Sequence, residues 1–135
     1  MAIKIKTEPE VPEPPEDWGG SRPEWAIYHA LLSLGKKPGA DFVYQSARFG
    51  GRSAKGGAVV DFLFYDPPNL AINVQSVYYH YTGAIQKVRG QMQRAQLEAS
   101  GLKVIYIEEE AALSNPRFYV REALNGVDHS RMIGR

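Results

Sequence analysis

Two rhythms of apolar residues run along this chain. In "SRPEWAIYHALLSLG", from Ser21, apolar positions recur three and four apart, which predicts a helix ending at Gly35. Ser21 and Glu24 have the spacing of a capping box at its start. "DFVYQSARF" then reads as a strand, followed by the glycine-rich "GGRSAKGG". "AVVDFLFY" and "NLAINVQSVYY" flank "DPPN" and read as two strands joined by a tight turn, hence antiparallel neighbours. Helical spacing returns from about Thr82 to Ser100, through Ile85, Val88, Met92, Ala95 and Ala99, and Gly101 ends it. "LKVIYI" is a buried-strand run, and "NPRFYVREALNG" a last short helix. A helix between a hairpin and a further strand implies a crossover, so "LKVIYI" is expected parallel to an earlier strand. The order α-β-β-β-α-β-α predicts a small α/β domain with a mixed sheet flanked by helices.

The first 20 residues follow neither rhythm. "TEPEVPEPPEDWGG" is acidic and rich in proline, so residues 1–20 read as an extended arm that buries little. Within it "IKIK" alternates and could add as an edge strand, on a partner or on the chain itself. The domain is then expected over 21–125, with a C-terminal tail over 126–135.

At 135 residues the chain fits one domain. No apolar run approaches the roughly 18 residues of a membrane span, and "MAIKIKTEPE" lacks the apolar stretch of a signal peptide. The absence of cysteine excludes disulfides and thiolate metal sites. A cytoplasmic setting, or a viral particle, is expected. The net charge of +1 conceals an asymmetry: residues 1–17 carry two lysines against five carboxylates, or −3, whereas ten basic and five acidic residues between Arg22 and Lys103 give +5. A basic body suits a polyanion such as DNA, although a solvated mixed surface has the same composition.

Candidate chemistry gathers at Asp61, Glu24 and the segment 73–80. A carboxylate inside "VVDFLFY" is costly unless paired, hydrated or metal-bound, or unless it lies at a sheet end. Glu24 is explained by the capping box alone. "VYYHY" surrounds His80 with Tyr78, Tyr79 and Tyr81, which suits packing at a sheet rim or stacking on bases. Arg48, Arg52 and Lys55 in the glycine-rich loop, with Lys87 and Arg94 on the long helix, are candidates for phosphate contacts or for a solvated surface.

The order of these pieces, with "VDFLF", the strand running into "YYH", and "LEASGLKVIYI", resembles the PD-(D/E)xK nuclease superfamily, nearest the very-short-patch-repair endonucleases and their small phage and bacterial relatives. The likeness runs over about residues 22–113. It implies a restriction-endonuclease-like core and Mg²⁺-dependent hydrolysis of DNA. Asp61 would bind the metal with the main-chain carbonyl of Val74, Glu24 would be the acidic residue of the first helix, and His80 the acid/base group. Asn73 and Gln75 stand where such nucleases commonly carry carboxylates, Val77 where the motif lysine stands, and Gly90 where a further aspartate is usual. Amides bring no charge to hold a hard cation. The alternative is therefore a nuclease fold without catalysis, used for DNA binding or as a component of an assembly, with the arm docking on protein partners; a homo-oligomer is a separate expectation.

Overall fold

The computed structural model describes residues 11–45, 60–75, 95 and 98–130. The described elements are α1 (Arg22–Ser33), β1 (Phe42–Tyr44), β2 (Phe62–Phe64), β3 (Leu70–Gln75), β4 (Lys103–Glu108), α2 (Glu109–Ser114) and α3 (Pro116–Leu124).

The strands form one mixed sheet in the order β1-β2-β3-β4. β1, β2 and β3 run antiparallel as a meander, and β4 lies parallel to β3, with Leu70 opposite Lys103 and Gln75 opposite Glu108. A parallel neighbour needs a crossover long enough to return to the same end of the sheet. Between β3 and β4, Ala95, Glu98 and Ala99 are helical, as the spacing predicts, and the rest of that expected helix lies outside the described residues. The expected hairpin joins β2 to β3 through a turn at 65–69 that contains a cis Asp66–Pro67 bond.

The alternation of each strand sorts its side chains into two clusters. Phe42, Phe62, Phe64, Leu70, Ile72, Ile105 and Ile107 face Ile27, Ala30 and Leu31 of α1, together with Ala112, Val120 and Ala123. On the other face Val60, Ala71, Val104 and Tyr106 form a smaller cluster with Leu63 and Leu102. β3 and β4 are buried on both faces, which is why their sequences read as nearly continuous apolar runs.

Local signals set the helix ends. The Ser21 hydroxyl accepts the Glu24 N–H at 3.2 Å, and the Glu24 carboxylate accepts the Ser21 N–H at 2.9 Å, completing the capping box. At the other end Gly35 takes φ +88°, and the N–H groups of Gly35 and Lys36 reach back to the carbonyls of Leu32 and Leu31. That is a Schellman closure, which needs a left-handed residue at this position.

Three expectations change. Among the described residues of "AVVDFLFY", which begin at Val60, only Phe62–Phe64 form a strand, because the backbone leaves the ladder at Val60 and Asp61. An additional helix, α2, follows β4 directly. The proline-rich stretch is not clear of the domain: Trp18 is half-buried, and its ring stacks on Tyr44 with centroids 4.7 Å apart. The tail is also pinned at its start. Asp128 accepts the Tyr106 N–H at 2.9 Å on the outer edge of β4, and its other oxygen accepts the N–H and hydroxyl of Ser130. These contacts cover an edge that would otherwise offer unpaired backbone groups.

Candidate site where β2 and β3 part

Continuing the β2–β3 register from Phe62 opposite Ile72 would place residue 61 opposite Asn73 and residue 60 opposite Val74. The ladder does not continue. The Asp61 carboxylate accepts the Val74 N–H at 2.8 Å, in place of a main-chain carbonyl from β2. In return, the Asn73 side-chain oxygen accepts the Asp61 N–H at 2.7 Å. Two side-chain hydrogen bonds thus join the strands where the ladder ends, and β2 turns away from β3 without leaving these backbone donors unpaired.

Asp61 is 5% exposed and Asn73 7%. At that burial a carboxylate without donors would be strongly disfavoured, and the Val74 N–H is one donor that sustains it. The Asp61 carbonyl also accepts the Gln45 N–H at 2.8 Å, which ties the same residue to the end of β1. Asp61 is therefore fixed from both neighbouring strands.

Gln75, two residues beyond Asn73 on the same side of β3, is 2% exposed. Its side-chain nitrogen is buried with no hydrogen-bond partner among the described residues. A buried amide in this state costs about 1–3 kcal/mol, and such groups mark either strain or a position that meets something from outside the chain.

Glu24 is held elsewhere. The oxygen that accepts the Ser21 N–H also accepts the Tyr44 hydroxyl at 2.7 Å, so Glu24 joins the start of α1 to β1. It makes no hydrogen bond or ion pair with Asp61. Of the residues singled out from sequence, Asp61, Asn73 and Val74 meet directly, with Gln75 next along the same strand. His80 and the candidate phosphate contacts Arg48, Arg52, Lys55, Lys87 and Arg94 lie outside the described residues. Among the described residues, no group of three or more histidine, aspartate or glutamate side chains is placed to hold a metal ion.

No family model, curated protein or solved structure matches this chain.

What the arrangement can do follows from its oxygens. In a strand, the N–H and C=O of one residue point toward the same neighbour. The Val74 carbonyl is therefore directed to the side on which its N–H meets Asp61, and a charged and a neutral hard oxygen share one edge. Sequence reasoning found both residues but missed the part played by Asn73. Its amide, read there as a replaced acid, serves as the acceptor that orients Asp61. Tyr44 was also missed, and its only signal in the sequence is alternation within "DFVY".

Proposed function

We propose that the protein acts on DNA as a nuclease-fold endonuclease, hydrolysing a phosphodiester at the sheet end where β2 and β3 part. The observation that carries this reading is the joining of Asp61 to Val74, at the positions where the PD-(D/E)xK likeness expects a metal-binding carboxylate and a metal-binding main-chain carbonyl. The element order supports it: a helix, a three-stranded antiparallel meander, helical residues, and a fourth strand parallel to the third.

The donor set fits Mg²⁺ as that ion is commonly held, through one or two carboxylates with waters and substrate phosphates rather than an all-protein cage. Asp61 and the Val74 carbonyl would hold it. When bound, the ion supplies charge stabilisation at the phosphoryl group and a more acidic water. The rest falls to the chain itself. Asn73 fixes the backbone of Asp61, and the Val74 N–H fixes the direction of the carboxylate. His80 passes a proton to or from the reacting oxygens. Arg48, Arg52, Lys55, Lys87 and Arg94 hold phosphates and set the register of the duplex.

One observation favours a second reading. Asn73 and Gln75 are buried amides, so the described site carries the single negative charge of Asp61. A fold with that charge alone would hold a divalent ion weakly, and its use would then be binding DNA or building an assembly without cutting. Incubation of supercoiled plasmid and branched DNA with Mg²⁺ or Mn²⁺ separates the two. Metal-dependent nicking that is lost in Asp61→Asn supports the enzyme, whereas retention of DNA in a gel shift without nicking supports the second reading.

A further inference from the structure

The segment just before α1 lies on an aromatic surface in the manner of a bound peptide. The Trp25 indole N–H donates to the Pro12 carbonyl at 2.7 Å. Arg22 pairs with Glu13 at 2.9 Å. Trp18 closes the contact, stacked on Tyr44 and edge-on to Trp25 and Tyr28 at 5.1 and 5.2 Å. Its own indole N–H donates to the Ser21 carbonyl. An aromatic face with an indole N–H aimed at a carbonyl is how proline-rich segments are held, because such a segment is already extended and loses little entropy when it docks.

The occupant is a short segment. Among the described residues its contacts run from Pro12 to Trp18 and fall on Ser21, α1 and β1, with Gly19 and Gly20 between it and the helix cap. Its sequence, "VPEPPEDW", is acidic, while the body from Arg22 to Lys103 carries +5. The Arg22–Glu13 pair is mostly solvent-exposed, with side chains 59% and 79% accessible, so a segment of the same chemistry from another molecule reaches Arg22 without opening the core.

We infer that the face formed by Arg22, Trp25, Tyr28 and Tyr44 is a receptor for a proline-rich acidic segment, and that residues 12–18 of a second copy of this chain occupy it in solution. The Trp25–Pro12, Arg22–Glu13 and Trp18–Tyr44 contacts can be made by the arm of a second copy, so exchanging arms keeps them and yields a dimer with two equivalent contacts. The acidic arm and basic body favour the encounter.

The test is sedimentation velocity of the full-length chain over a wide concentration range, beside Glu13→Arg and Arg22→Glu. Both substitutions are on exposed side chains, and thermal unfolding of each variant checks that the domain remains folded. The expected result is a wild-type dimer that weakens severalfold in either variant. It should regain wild-type strength when the two variants are mixed, since opposite charges then face each other across both exchanged contacts. A Trp25→Phe chain, which keeps a ring but lacks the N–H donor, should also dimerise less tightly. A wild type that stays monomeric throughout overturns the inference and leaves a contact made only within the chain. A dimer indifferent to these substitutions overturns it as well, because another face would then be in use.

Discussion

The side chain of Asp61 stands in for a main-chain carbonyl: its carboxylate accepts the Val74 N–H at 2.8 Å, while Asn73 accepts the N–H of Asp61 at 2.7 Å. A strand pair that would otherwise run on is ended by two side chains. The ending leaves a carboxylate held in one orientation at the end of the sheet, which is a structural and a chemical consequence together.

Replacing Asn73 by leucine removes the side-chain oxygen that accepts the Asp61 N–H. The expected loss of stability is about 1–3 kcal/mol, read from the midpoint of urea unfolding with the slope unchanged. An Asn73→Leu chain as stable as wild type would mean that the reciprocal bond does not fix Asp61.

Gln75 gives the opposite sign. Exchanging its amide, whose nitrogen has no hydrogen-bond partner among the described residues, for the apolar shape of Gln75→Met relieves a buried polar group, so stability should hold or rise by up to about 1 kcal/mol. The same exchange should weaken DNA binding in a gel shift, if the amide meets substrate. A clear drop in stability would show that Gln75 is satisfied in the folded protein.

Gly20 lies where the N-terminal segment passes over Tyr44. A Cβ at this position would run into the Tyr44 hydroxyl and the Glu24 carboxylate. The Tyr44–Glu24 hydrogen bond of 2.7 Å and the capping box share that carboxylate. Gly20→Ala is therefore expected to cost about 1–3 kcal/mol by overpacking, visible as a lower thermal midpoint.

The arm should also respond to acid. Arg22 holds the Glu13 carboxyl below its ordinary value of 4.5, through a hydrogen bond and charge attraction. A lowered carboxylate value favours the docked state fully above 4.5, and that contribution fades as pH falls through the lowered value. Tryptophan fluorescence should report loosening of Trp18 in that acid window. The step should be absent from Glu13→Gln, in which no charge is lost on acidification.

Much of this architecture was legible because local signals agree with the global fold. The Ser21–Glu24 spacing marked the start of α1, "DPPN" between two alternating runs marked the hairpin, and the apolar "VIYI" marked a strand buried on both faces. Other features were not legible, for specific reasons. α2 begins at Glu109 straight after β4, and its N-cap, Glu108, makes no capping side-chain bond. The average polarity of the proline-rich stretch points to an arm that buries little, yet Trp18 and the carbonyl of Pro12 dock it. At the site, Asp61, Asn73, Val74 and Gln75 were named from sequence, but pattern alone does not reveal that Asn73 and Asp61 exchange hydrogen bonds. Nor did it reveal that Glu24, legible as part of the cap, also accepts the Tyr44 hydroxyl and makes no bond to Asp61.

The most direct test of an Asp61-centred nuclease is cleavage of plasmid and branched DNA by wild type and Asp61→Asn, at matched DNA occupancy and increasing Mg²⁺. Asparagine keeps an oxygen for the Val74 N–H, so the fold should survive while the charge is removed. The expected result is metal-dependent nicking by wild type and a loss of at least about a hundredfold in the variant, comparable to removing an acid/base group, with DNA binding retained. Equal cleavage by both chains, or none by wild type on any substrate, would contradict a hydrolytic role for Asp61.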